Sequence, residues 1–208
     1  MIKVRFCILF LFIITIININ AQDLCPDNNH PHAIDLGIGV KFACCNVGAS
    51  APWEYGNYYA WGEIEKKQHY VQDTYNYFRK PNKYINIGKD IANTKYDVAH
   101  VKWGGNWRMP RLEEILALLK YCKSRWCCMK GVYGRIFQSS NGNCIFIPAA
   151  GAQASGGMSL KETGNYWTAT QYDDHEDMAT YFWFSKEHVT WRYYCSRYCG
   201  YSVRPVMG

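Results

Sequence analysis

Apolar positions recur at two different periods along this chain, and each period predicts its own kind of element. From Leu112, the residues Ile115, Leu116 and Leu119 follow at three- and four-residue steps, with Leu118 and Cys122 widening the stripe. That spacing predicts a helix reaching to about Lys123. Pro110 fits its first turn, where a missing N–H costs nothing. Glu113 and Glu114 fall near the positive end of the helix dipole, where carboxylates are stabilised. A shorter helix is predicted over residues 96–101. Elsewhere the period is two. Residues 33–47 alternate and predict a first strand or strand pair, and residues 58–63 a short aromatic strand or turn. Residues 142–148 form an apolar run between turn signals, as a buried strand does. From Gly164 onward the pattern predicts strands over residues 166–170, 179–184, 189–194 and 202–206, with Pro205 marking an edge or an end.

Between these elements, residues 66–87 are polar and rich in tyrosine and read as a long surface loop. Residues 125–134 read as a cysteine- and glycine-rich link. Residues 149–157 are small and glycine-rich, but no strand-and-helix setting makes them a phosphate loop. There is no internal repeat and no low-complexity linker. The economical reading is a single α+β domain over residues 33–208, behind a flexible polar leader at 22–32.

The opening has the form of an export signal. Lys3 and Arg5 precede an apolar run over residues 6–17, and Ala21 offers a small residue for cleavage before Gln22. Residues 1–21 are therefore expected to be removed, leaving 187 of the 208 residues (208 less 21). The run is short for a membrane span and no second one follows, so no integral span is expected after cleavage. The expected location is secreted or at the cell surface. Loss of Lys3 and Arg5 lowers the formal charge from +6 to +4, too mild a balance to argue for a nucleic-acid partner without a Lys/Arg block. Aromatic residues make up 16% of the chain, including 17 tyrosines and 8 tryptophans. Tyrosine at this density suits β-structure and also a contact surface that orders at low entropic cost.

Of the ten cysteines, Cys7 lies within the signal. In an exported chain the other nine point first to disulfides, with at least one thiol left over. The adjacent pairs Cys44-Cys45 and Cys127-Cys128 fit disulfide geometry poorly as internal bridges. No cysteine pair has the two-residue gap of a zinc knuckle, and His30-Pro31-His32 reads as a solvated tail, so no metal or cofactor is expected.

Several motifs in order carry a resemblance. They are residues 33–41 (AIDLGIGVK), 45–49 (CNVGA), Tyr55-Gly56, 60–63 (AWGE), 97–99 (DVA), 103–110 (WGGNWRMP), 145–151 (IFIPAAG), Tyr166-Trp167 and 202–206 (SVRPV). Together they resemble the Fibrobacter succinogenes major paralogous domain over nearly the whole mature chain. The resemblance implies a C-type-lectin-like domain, two helices packed on a small, twisted, mostly antiparallel sheet, in an exported bacterial protein. Relatives with that fold include the variable proteins of diversity-generating retroelements, whose final strands carry diversified ligand-contacting residues. The corresponding segment here is residues 191–201. The resemblance also implies a bridge between Cys45 and Cys122.

Candidate chemistry is sparse. Arg108 with Glu113 and Glu114 could be taken for an acid–base group, but no nucleophile with a nearby base accompanies them. A structural fork is the expectation, with Trp107 beside it and Arg204 pairing with the same carboxylates. The acidic run over residues 173–177 could hold Ca²⁺, but a solvated loop is the expectation, since like charges also cluster on exposed turns. The Glu-Pro-Asn and Trp-Asn-Asp signatures of sugar-binding C-type lectins are absent. Cys195 and Cys199 are expected to staple a loop or to bridge elsewhere. An oxidase of the formylglycine-generating kind, which uses a late cysteine pair, is a remoter reading because the chain lacks most of that pattern. The expectation is thus a non-enzymatic module that contacts an extracellular protein or glycan through Tyr172, Trp191, Arg192, Tyr193, Tyr194, Arg197 and Tyr198. The alternative is a disulfide-stapled structural component of a cell-surface assembly.

Overall fold

A computed structural model describes residue 25 and residues 27–154, 157–159 and 162–208; for residues 157–159, 191 and 192 the backbone alone is described. The expected signal at 1–21 lies outside the described residues, as does part of the leader. Strands dominate. They are β1 (Ala33–Asp35), β2 (Lys41–Ala43), β3 (Phe78–Arg79), β4 (Lys83–Tyr84), β5 (Trp107–Arg108), β6 (Lys123–Met129), β7 (Val132–Gln138), β8 (Cys144–Pro148), β9 (Ala152–Ala154), β10 (Gly157–Ser159), β11 (Gly164–Gln171), β12 (Met178–Phe184), β13 (Val189–Ser196) and β14 (Val206–Met207). The helices are α1 (Val98–Trp103) and α2 (Leu112–Tyr121).

This overturns the expected α+β, C-type-lectin-like arrangement of two helices on one small sheet. The helices are six and ten residues long. Among the described residues, the strands fall into one four-stranded, two three-stranded and two two-stranded sheets. The physical reason lies in the periodicity: only residues 112–122 carry a sustained helical stripe, and the aromatic, glycine-punctuated remainder buries itself mainly through strands and the turns between them.

The four-stranded sheet has the order β1-β2-β14-β5. Val206 pairs with Phe42 on one side and with Arg108 on the other, so the end of the chain joins its early strands to the strand leading into α2. The two three-stranded sheets, β6-β7-β8 and β11-β12-β13, are antiparallel meanders.

The β11-β12-β13 sheet is a partition between two cores. Successive side chains on a strand point to opposite faces. In β12, Ala179 and Tyr181 therefore enter one core with Trp61, Trp167, Ile91 and Val203. Phe182 and Phe184 enter the other with Ile115 and Leu118 of α2, Phe137, Ile145 and Phe42. Tyr166 and Trp167 of β11 divide in the same way. Gly164 is required where it stands, because a Cβ there would meet the Phe184 ring at 2.1 Å.

Short elements are set by identifiable contacts. Asp97 caps α1 by accepting from the Ala99 and His100 N–H groups at 2.9 and 3.0 Å. It also accepts from Met109 N at 2.9 Å and Asn93 N at 3.0 Å, tying α1 to β5. Burial pushes the Asp97 carboxyl up, while those four N–H groups pull it down. Residues 125–134, read from sequence as a link, lie within the hairpin of β6 and β7. Met129 pairs with Val132, leaving the two-residue turn Lys130-Gly131. Both turn residues have positive φ, 51° and 82°, which matches the right-handed twist of the flanking strands.

Candidate functional site

The region before α2 forms a clasp. Arg108 is buried and donates to Glu114 through both arms of its guanidinium, Nη1 to Oε2 at 2.8 Å and Nη2 to Oε1 at 2.5 Å. Such paired, charge-assisted bonds fix geometry as well as adding energy. Glu114 Oε2 also accepts the Arg111 N–H at 2.8 Å, closing the first turn of the helix. Trp107 is buried and meets the Trp103 ring edge-on at 5.3 Å. Glu113 is exposed, so Glu114 alone closes the fork. Arg204 does not join these carboxylates. Its guanidinium, 2% exposed, donates to Asn46 Oδ1 at 2.8 Å and to the carbonyls of Ala43 and Cys44 at 3.0 and 2.7 Å. The last residues are thus locked to the chain just after β2 rather than to the helix.

The predicted contact surface divides. Tyr193 and Tyr194 stand about half exposed on β13, which among the described residues pairs on one side only, with β12. Tyr194 stacks on Tyr172 with ring centres 4.0 Å apart, and His175 also stacks on Tyr172, at 5.4 Å. Tyr193 leans on Tyr181 and Trp183 at 5.8 and 5.6 Å. These contacts hold the rings in place ahead of any ligand. Tyr198 is half-buried among core residues. Arg197 is fully buried. Its guanidinium lies over the rings of Trp61, Tyr75 and Tyr84 at 4.9, 5.4 and 5.9 Å, and donates to Tyr75 Oη and the Glu176 carbonyl. It pins the 197–201 turn instead of reaching outward. The side chains of Trp191 and Arg192 lie outside the described residues.

The remaining predicted features are placed as follows. Cys45 and Cys122 are both free thiols and pack in different cores, Cys45 beside Cys25 and Cys44, and Cys122 beside Ile115 and Leu118. The implied bridge between them is not formed. Cys195 and Cys199 are brought together, with their sulfurs 3.2 Å apart as thiols. The Cys199 thiol and the Tyr201 hydroxyl both bond Cys195, lowering its pKa to about 6 despite opposing burial; the same contact pushes Cys199 up. In the acidic run, Asp174 pairs with Lys89 at 2.5 Å. Among the described residues, no three side chains of that run bring ligand atoms together.

Two features carry no sequence signal strong enough to find them. His175, within the acidic run, becomes the third ring of the stacked row. Trp126 and Tyr133, diagonal neighbours across the β6–β7 hairpin, stack nearly parallel at 10°. With Glu162, Thr163, Ser185, Lys186 and Glu187 they line a groove of about 480 Å³. Among the described residues, no helix is long and apolar enough to cross a membrane. No protein-family model, no curated protein and no solved structure matches the chain.

Proposed function

We propose that this is an exported, surface-associated binding module whose ligand takes hold of the strand β13, with the ring row His175–Tyr172–Tyr194 on one face of it and Tyr193 on the other. The observation that carries this reading is the two half-exposed rings of β13, each held in advance: Tyr194 stacked on Tyr172, and Tyr193 against Tyr181 and Trp183. Large aromatic side chains already held in one rotamer lose little entropy on binding, and such residues concentrate binding energy. The charged start and apolar run of residues 3–17 support export. An extracellular protein or glycan is the ligand class that flat, hydrogen-bonding tyrosine faces suit.

The test is an array of glycans and extracellular proteins probed with the mature chain, followed by variants against the strongest hit. Truncating Tyr172, Tyr193 and Tyr194 together should weaken binding by about 30-fold or more, the effect of losing roughly 2 kcal/mol. Trp126→Ala with Tyr133→Ala should leave it unchanged. The reverse pattern would move the site to the β6–β7 groove and sink this assignment. A second reading, a covalently linked component of a surface assembly, rests on the exposed thiol of Cys128 on β6. Dimers on non-reducing gels that vanish with Cys128→Ser would favour it.

A further inference from the structure

Cys25 and residues 27–32, ahead of the first strand, lie against the body of the protein. Cys25 is 7% exposed and sits in a core with Cys44, Cys45, Met129, Ile136 and Phe146. His30, half-buried at the edge of that core, places its Nδ1 3.2 Å from the Cys44 sulfur. The ligand atoms of Cys25, His30 and Cys44 all lie within 4.8 Å of one another.

We propose that Cys25, His30 and Cys44 are ligands of a structural Zn²⁺ site that clamps the N-terminal segment onto the fold.

Three observations support it. The first is spacing. Zinc bound at about 2.3 Å to sulfur and about 2.0 Å to nitrogen sets neighbouring ligand atoms of a tetrahedron roughly 3.5–3.8 Å apart, the range this trio already approaches. A disulfide needs its sulfurs at about 2.05 Å and would use two of the thiols while leaving the imidazole idle. The second is the surrounding shell. The His32 N–H donates to the Cys44 sulfur at 3.1 Å, an outer-shell bond that orients a thiolate ligand. The apolar wall of Met129, Ile136 and Phe146 closes the site from behind, as structural rather than catalytic zinc requires. The third is charge. Arg204 is buried, and among the described residues no carboxylate pairs with it and its Nη2 has no hydrogen-bond partner. Arg204 donates to the carbonyls of Ala43 and Cys44 and so stands beside the thiols of that segment. Two thiolates neutralise Zn²⁺. Cys45, in contact with Cys44, is the further donor at hand. Its thiolate would bring the metal site to −1 against the +1 of Arg204.

The donor set fits zinc because thiolate and imidazole together favour a borderline-soft ion over Ca²⁺ or Mg²⁺. Binding displaces the thiol protons of Cys25 and Cys44 to solvent, and a third from Cys45 when it takes the further position, with no change of oxidation state. Sequence spacing conceals the site. Cys25 and His30 precede the first strand, and Cys44 arrives only when β2 pairs with β1 and sets the chain down beside them. The clamp therefore joins the leader to the segment that Arg204 holds, and it needs the folded sheet to exist.

The experiment uses the reduced, metal-free mature chain from Gln22 onward, titrated with Co²⁺ and then with Zn²⁺. One equivalent of Co²⁺ should give thiolate charge-transfer absorption that one equivalent of Zn²⁺ abolishes. Cys25→Ser, His30→Ala and Cys44→Ser should each weaken metal binding by more than about 100-fold, beyond the loss seen for outer-shell changes. Cys128→Ser and Cys195→Ser should bind as the parent does. Cys25 and His30 lie outside the strands, so their variants should keep the parent's circular dichroism and separate ligand loss from misfolding. Absence of the charge-transfer band in the parent overturns the proposal. So does a band that survives Cys25→Ser and His30→Ala, or a Cys25–Cys44 disulfide found by peptide mapping of protein isolated without reductant.

Discussion

Replacing Arg204 by alanine tests how the end of the chain is held. The side chain is 2% exposed and makes three bonds, to Asn46 Oδ1 and to the Ala43 and Cys44 carbonyls. Hydrogen bonds from a charged donor contribute about 1.5–3 kcal/mol each. Their sum overstates the effect, because removing a buried cation also relieves its desolvation. Breaking comparable buried charged networks costs about 3–5 kcal/mol. At about 4 kcal/mol, and at about 2–4 °C per kcal/mol for a chain of this size, the midpoint of thermal unfolding should fall by about 8–16 °C. Circular dichroism at several wavelengths, with chelator and reductant present, keeps metal and disulfides out of the comparison. Arg204→Lys should recover part of the loss, since an ammonium keeps the charge but cannot span three acceptors arranged for a fork. A fall of less than about 3 °C for Arg204→Ala would refute the lock, because even one lost charged bond exceeds it.

Three further outcomes follow from other contacts. In a double-mutant cycle, Arg108→Ala and Glu114→Ala should couple by about 1–3 kcal/mol in urea unfolding, whereas Arg204→Ala and Glu114→Ala should add within about 0.5 kcal/mol. Coupling of the second pair would restore the salt bridge anticipated from sequence. Asp97→Ala should destabilise by about 2–4 kcal/mol, the sum of a lost helix cap and an unsatisfied Met109 N–H; hydrogen exchange should show α1 and β5 opening together. Cys195 alkylation in a Cys128→Ser background should rise as pH increases through about 6 and then level off, where an ordinary thiol keeps climbing to about 8.5. Its folded pKa is lowered, so the stability this thiolate contributes is complete above the unfolded value and is lost as pH falls through about 6. A midpoint above 8 would show that the contact with Cys199 does not form.

Legibility in the sequence follows how local each cause is. The helix at α2 was readable because its stripe, its proline and its first-turn carboxylates lie within one short stretch. Strands β8, β11, β12 and β13 were readable from apolar runs and alternation. The β6–β7 hairpin was not, since Lys-Gly is a weaker turn signal than Asn-Gly and residues 123–128 alternate poorly. The overall arrangement also escaped, because sheet membership rests on pairings such as Phe42 with Val206 that no local pattern encodes. At the candidate site, the exposed pair Tyr193 and Tyr194 was readable from composition and strand position. The burial of Arg197 was not: its cage comes from Trp61, Tyr75 and Tyr84, more than a hundred residues upstream.

The two-faced strand β12 has a consequence for timing. Both cores are walled by the β11-β12-β13 sheet, so neither can close before residues 178–184 are available, and the four-stranded sheet waits for Val206. Contacts between such distant positions make folding slow relative to chain growth. A nascent chain of this protein therefore stays loose until its final thirty residues emerge. The export proposed above would be served by that delay, since a chain threaded through a narrow channel must still be unfolded.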